Sequence, residues 1–215
     1  LIENENVPMA VRMMQMLSIG HHLQKNISEG QLFGLENIYD HYLSEGAANR
    51  MNVYLKEKWE KPGSRYHVMK AMFSCLHKLE VLSADWPGKV RHYEKILFSG
   101  GRKKYEALHQ YRLPNKIAEQ LLSYFIYVYF AGAVYDGMPY SKVKLAVIST
   151  MLIEDIVCAK AAEKGELTFE EIADAAHSYA REVEHSDLNL QRLSTMFRKQ
   201  KCFHIGRLCG ALLEW

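Results

Sequence analysis

Residues 141–163 constrain this chain more than any other stretch, because they are apolar on two faces of one helix. Val143, Val147, Thr150, Met151 and Val157 mark one face, and Leu145, Ile148, Leu152 and Ile156 mark another. A helix that is apolar on two sides must be covered on both, so this one is predicted to lie between neighbours. Pro114 opens a helix that runs to about Ala133, and Asp136-Gly137-Met138-Pro139 turns the chain back. Residues 115–133 and 141–162 are therefore expected to form an antiparallel pair at the centre of the fold.

The rest of the pattern is helical as well. Met13, Met16, Leu17, Gly20, Leu23 and Ile27 form one stripe, and Met69, Met72, Phe73, Leu76 and Leu79 form a second. Both repeat at helical spacing, and the methionines read as core filler. Pro8 suits a first helical turn, and Gly30, Gly46, Pro62-Gly63, Pro87-Gly88 and Gly100-Gly101 punctuate the first half. Thr168 and Glu171 have the spacing of a capping box, with Leu167 and Ile172 at the hydrophobic-staple positions. Ile172, Ala176, Tyr179 and Val183 continue as the core stripe of that helix, and Leu190, Leu193 and Phe197 carry a stripe beyond it. No alternating strand pattern or internal repeat occurs. The class is all-α: a multi-helix bundle of about 8–10 helices around the central antiparallel pair. Residues 1–215 read as one helical domain, with 111–199 as its core and 1–110 as an optional N-terminal subdomain. The tail, residues 200–215, could form a terminal helix or dock onto another part.

Charge and composition exclude several classes. Lys and Arg number 27 against 25 Asp and Glu, a net charge of +2, so no field suited to nucleic acid or an anionic membrane results. The basic runs Arg102-Lys103-Lys104 and Arg198-Lys199-Gln200-Lys201 read as solvated helix ends. The uncharged run from Gln120 to Tyr135 is shorter than the ~18–20 residues that span a bilayer. Cys75 and Cys158 lie in apolar runs, and Cys202 and Cys209 flank His204 without a C-x2-C pair. That spacing fits neither a zinc knuckle nor an iron–sulfur cluster, and it suits a reducing, cytoplasmic compartment. There is no Gly-x-Ser-x-Gly elbow and no glycine-rich phosphate cradle. His21-His22 and His177 read as surface or satisfied histidines.

The densest group of reactive side chains is Arg181, Glu182, Glu184, His185 and Ser186, between two helical stripes. One reading is a helix end with ion pairs. The other is a polar cluster at the edge of a cleft, facing a substrate or another domain, with Glu184 and His185 partly buried and hydrogen-bonded. A metal alternative uses the two Glu-x-x-His pairs, Glu106/His109 and Glu182/His185, with Glu80 and Glu154 as single ligands of a di-iron site. Pro87-Gly88 and Gly100-Gly101 break the helices such a site needs, so no metal is expected on this chain.

Tyr179-Ala180-Arg181-Glu182-Val183-Glu184-His185-Ser186-Asp187-Leu188-Asn189-Leu190 resembles a run found in the FliB-like flagellin lysine N-methylases, of the form aromatic-x-R-x-(I/V)-E-H-S-x-x-N-L. Two further stretches resemble the family in order: Pro8 to Leu23, with Arg12 at a P-x-x-x-R start, and Ala118-Glu119-Gln120-Leu121-Leu122-Ser123-Tyr124-Phe125 running into Tyr135. The resemblance implies S-adenosylmethionine-dependent methylation of flagellin lysines. It also implies a cysteine-rich N-terminal region bearing an iron–sulfur cluster. That region is absent here, and the chain begins with Leu1, so the expectation is a helical C-terminal portion that binds no cofactor itself and is inactive in isolation. The expected partners are flagellin and the cysteine-rich region. Catalytic and cofactor-binding residues stay unassigned. The competing readings are a non-catalytic helical interaction module and the di-iron carboxylate protein.

Overall fold

The computed structural model describes residues 1–31, 36–44, 46–59 and 64–215. Among these it contains twelve α-helices and no strand. They are α1 (Met9–Ser28), α2 (Glu36–Leu43), α3 (Ala47–Trp59), α4 (Ser64–Leu76), α5 (Trp86–Phe98), α6 (Gly101–Leu108), α7 (Asn115–Phe130), α8 (Ala133–Asp136), α9 (Pro139–Lys164), α10 (Phe169–Val183), α11 (Asp187–Lys199) and α12 (Ile205–Leu212). The helices outnumber the sequence expectation, with short elements such as the four-residue α8 among them. Gly101 (φ 72°) separates α5 from α6, and Gly137 (φ 65°) separates the short α8 from α9. Pro62-Gly63, expected as a break, lies outside the described residues.

At the centre is α9. All nine apolar positions assigned to its two faces are buried. The helix starts two residues earlier than the pattern suggests, because Pro139 occupies its first turn instead of the preceding loop. Both α1 and α7 pack along it most extensively, and α4, α5, α6, α10 and α11 complete its surroundings. The centre is thus a single helix with neighbours on every side. Gly20 marks the closest approach of α1: a Cβ there would meet Val143 Cγ2 at 3.0 Å. One continuous core runs from Met9 to Leu212, with a small satellite of Ile19, Leu23 and Tyr42.

Local sequence chemistry sets the ends. Thr168 Oγ1 accepts the Glu171 N–H, and Glu171 returns a carboxylate oxygen to the Thr168 N–H, which completes the capping box that opens α10. Pro87-Gly88, read as a break, instead falls in the first turn of α5, where a missing N–H is no loss. The ambiguous tail forms α12 and packs against α3 and α4. Arg12 is buried and clamps the N-terminal segment: its guanidinium donates to the Ile2 and Val7 carbonyls and to Glu119 Oε2 at 2.6 Å. Lys116 and Arg12 together hold the Glu119 carboxyl below its ordinary range. No helix among the described residues is long and apolar enough to cross a membrane.

Candidate functional site

The Tyr179–Leu190 run forms the junction of α10 and α11. The stripe of α10 buries Tyr179 and Val183 in the core, and the helix closes with Glu184 as its C-cap. Ser186 then caps α11, its hydroxyl accepting the Asn189 N–H at 3.1 Å. His185 falls in the two-residue turn between these ends. It is in solvent, as is Arg181, so the partly buried position expected for His185 is not found. α10 has ended at Val183, so His185 lies in the turn beyond the helix and outside its buried stripe.

The inward-facing residues of the run work in two directions. Toward the α4–α5 connection, Ser186 Oγ donates to Glu80 Oε1 at 2.8 Å. The buried Asn189 amide donates to the Glu80 and Glu182 carbonyls at 2.9 and 2.8 Å and accepts the Glu80 N–H at 2.8 Å. Glu182 Oε2 accepts the Leu82 N–H at 3.0 Å, while its Oε1 is buried without a partner. Toward α7, the half-buried Glu184 accepts a hydrogen bond from the Tyr124 hydroxyl at 2.7 Å. That bond, with burial, pushes the Tyr124 phenol up to about 12. Glu184 Oε1 and the Tyr129 hydroxyl are both buried, and the two side chains interact through a long hydrogen bond. Burial, Tyr179 and Glu184 together raise Tyr129 far above the ordinary phenol range. Asp187 and Tyr129 also line a groove of about 430 Å³, with Lys142 and Arg198 across it.

A second polar constellation lies inside the core, around the middle of α9. Arg65 Nη2 bridges Glu154 Oε2 at 2.7 Å and Asp155 Oδ1 at 2.8 Å. Tyr105 donates its hydroxyl to Asp155 Oδ2 at 2.7 Å. His109 places Nε2 at 3.1 Å from Asp155 Oδ1 and Nδ1 at 2.9 Å from the Tyr105 carbonyl. Each ring nitrogen thus has an oxygen within hydrogen-bond distance. Burial alone would weaken Arg65's hold on its proton; Glu154 and Asp155 reverse that and keep it well above its ordinary value. The Asp155 carboxyl, also disfavoured by burial, is held down by Arg65 and His109. Trp215 lies over the guanidinium at 4.8 Å, and Glu214 caps the first N–H groups of α4.

Sequence reasoning missed this cluster. Glu154 and His109 entered it only as dispersed metal ligands, and Arg65, Asp155 and Tyr105 were not singled out. A signal existed: Glu154-Asp155 interrupts a helix that must be buried all round, so a cation from elsewhere had to meet it.

The structure does not assemble the di-iron set. His109 and Glu154 belong to the Arg65 cluster, Glu80 and Glu182 to the α10–α11 junction, and His185 is in solvent. Glu106 pairs with Arg102 at 3.3 Å. Among the described residues, no three His, Cys, Asp or Glu side chains converge as metal ligands. The cysteines do not fit an iron–sulfur cluster either. Cys75, Cys158 and Cys209 are buried apart, and burial raises all four thiols, Cys209 to about 12, against the thiolate form a cluster requires.

The geometry defines an all-helical domain that presents a carboxylate–tyrosine site at the end of α10, at the run where the methylase resemblance is strongest. The chain belongs to the FliB lysine N-methylase C-terminal domain family, whose model matches residues 1–211. No curated protein and no solved structure matches the chain.

Proposed function

We propose that this chain is the C-terminal helical region of a bacterial, cytoplasmic flagellin lysine N-methylase-like protein and supports S-adenosylmethionine-dependent methylation of flagellin lysines. The observation that carries this reading is the family match over nearly the whole chain. The motif residues add to it: Ser186 and Asn189 build the junction that holds Glu184 beside α7. The role assigned to the region is substrate docking and support. An iron–sulfur cluster and S-adenosylmethionine belong, in this reading, with a cysteine-rich N-terminal region, since the thiols here lack the arrangement that would hold a cluster. Four unpaired thiols suit a reducing cytoplasm.

One observation favours docking in particular. Tyr127, Val134 and Tyr135 on α7 and α8 are 84%, 86% and 93% exposed, an apolar surface that a protein partner would cover. The test uses the full-length protein with purified flagellin and S-adenosylmethionine, with lysine methylation followed by mass spectrometry. Removing the helical region should abolish methylation. Unchanged methylation without it would leave the interaction-module reading in its place.

A further inference from the structure

The groove of about 430 Å³ beside Asp187 runs between one face of α11 and the first turn of α9. Asp187, Leu190, Gln191, Ser194 and Arg198 line it at helical spacing, so a single face of α11 forms one wall. The other wall begins with Ser141 and Lys142. Arg198 Nη1 donates to Met138 Sδ at 3.5 Å, which sets Arg198 at the N-terminal end of α9. Asp187 opens α11 at the far end, roughly 16 Å away along the helix axis.

Donors without acceptors meet at the Arg198 end. Ser141 is only 8% exposed, yet its hydroxyl makes none of the recorded hydrogen bonds among the described residues. That hydroxyl is not one of the sealed polar atoms, so the groove reaches it. The N–H groups of Tyr140 and Ser141, in the first turn of α9, also have no recorded acceptor, whereas that of Lys142 goes to the Met138 carbonyl at 3.3 Å. Arg198 forms none of the ion pairs among the described residues. Lys142 is already committed: it pairs with Asp136 at 2.8 Å, and Asp136 also accepts the Met138 N–H at 2.9 Å. What remains is one free guanidinium, a hydroxyl on a nine-tenths buried side chain, and the positive end of a long helix. An acceptor arriving there satisfies a buried donor that the chain leaves unsatisfied.

The chemistry narrows which acceptor. Only one cation is free, and the carboxylates of Asp136 and Asp187 face the same groove, so a dianionic phosphate or a polyanion would meet like charges. A carboxylate carries a single charge, and its two oxygens match the guanidinium fork. The shape narrows the carrier. Gln191 and Ser194 offer hydrogen-bonding groups on successive turns, beside the apolar Leu145 and Leu190. A length of roughly 16 Å holds about five residues of extended chain.

We propose that this groove binds an extended segment of a protein partner and takes one acidic side chain of it, Glu or Asp, at Arg198, Ser141 and the first N–H groups of α9. The proposal deepens the docking role of the methylase reading and rests on that reading for the identity of the partner, the substrate protein.

The experiment titrates a blocked Gly-Ser-Glu-Ser-Gly peptide, and its glutamine counterpart, into the protein and follows the backbone amide resonances of residues 138–145 and 187–198 by NMR. The glutamate peptide should shift both sets and the glutamine peptide should not. Arg198→Gln should weaken glutamate binding about tenfold or more, and Ser141→Ala about tenfold, as expected for loss of charge-assisted hydrogen bonds. Lys199→Gln removes the same charge from the next position of α11, outside the groove, and should leave binding unchanged. Thermal unfolding of each variant separates lost binding from lost folding. Arg198 is exposed, so its variant stays informative if Ser141→Ala is unstable. Equal binding of the glutamine peptide, no binding of either peptide, or full binding by both groove variants would overturn the proposal. So would sodium acetate or inorganic phosphate binding as tightly as the glutamate peptide. Full-length protein assayed in parallel keeps the two readings apart. Methylation of flagellin by wild type together with unaltered peptide binding by Arg198→Gln sinks the groove and leaves the methylase standing. Glutamate-specific, Arg198-dependent binding without any methylation by wild type sinks the methylase reading instead.

Discussion

The Arg65 cluster and the α10–α11 junction both take carboxylates out of water, and they treat them in opposite ways. Around Arg65, two carboxylates in the middle of a buried helix meet a guanidinium, a phenol and an imidazole, with Arg65 Nη1 and Glu154 Oε1 left without a hydrogen-bond partner. At the junction, Glu182 and Glu184 sit at a helix C-terminus with backbone N–H and phenol donors and no cation. A neutralised cluster has a structural explanation inside the fold. The junction relies on neutral donors instead, the Leu82 N–H for Glu182 and the Tyr124 phenol for Glu184.

The strongest way to break this comparison is to remove the central cation. Arg65→Met leaves Glu154 buried without a cation and Asp155 with only Tyr105 and His109, a loss of about 3–5 kcal/mol. Urea denaturation should show a much lower midpoint or no folded protein. Adding Glu154→Gln and Asp155→Asn should restore a large part of the loss, because the charges are then gone together. A single Arg65→Met variant as stable as wild type would mean that water reaches the cluster and that the contrast with the junction is false.

At the junction the largest structural effect should come from Asn189. Its side chain makes the bonds that tie α11 to residue 80 and to the end of α10. Asn189→Ala strips partners from three backbone groups and should cost about 3 kcal/mol. Hydrogen exchange should show residues 80–82 and the first turn of α11 loosening together. If stability falls and that loosening is absent, the clamp has been misread.

These two sites also show what a sequence discloses. The two-faced pattern of α9 required burial of Ile148 and Leu152, and Thr168 with Glu171 required a helix start, because both signals act within one or two turns. Arg65 and Glu154 are 89 positions apart, so no local period connects them. The Ser and Asn of the family-like run were visible as residue types. Their role as a clamp on residues 80–82 was not, since it depends on where the α4–α5 connection passes. Glu182 and Glu184 are only two residues apart, yet they face different elements because positions i and i+2 point to nearly opposite sides of a helical turn.

Lys144 offers a control, as a buried charge of the opposite sign. It donates to the Phe197 carbonyl at 3.0 Å near the C-terminus of α11, lies over Tyr140 at 4.2 Å, and has no carboxylate partner among its recorded bonds. Burial lowers it to about 8. Between that value and the unfolded one, about 10.4, the unfolded chain holds a proton that the folded chain has released. The stability gap between wild type and Lys144→Met should therefore be least favourable to wild type below pH 8 and should rise by about 2 kcal/mol as pH climbs toward 10. Taking the difference between the proteins cancels the raised cysteines and tyrosines, which act in the opposite direction at the alkaline end. A flat difference would show that the ammonium is solvated and that the position of Lys144 carries no burial penalty.

The smallest effect is expected where the family-like run points outward. Arg181 and His185 are exposed and make none of the recorded ion pairs or hydrogen bonds of the junction. Substituting either by Ala should change stability by no more than about 0.5 kcal/mol. If the junction were only a structural corner, these residues would also be silent in full-length protein acting on flagellin, as would any other solvent-facing pair. If this exposed face takes part in docking flagellin, Arg181→Ala and His185→Ala should raise the KM for flagellin by a small factor and leave kcat unchanged, the signature of lost uniform binding. A fall in kcat with unchanged KM would place them at the chemistry and would move the active centre onto this chain. No change in either constant would leave this face without a part in recognition.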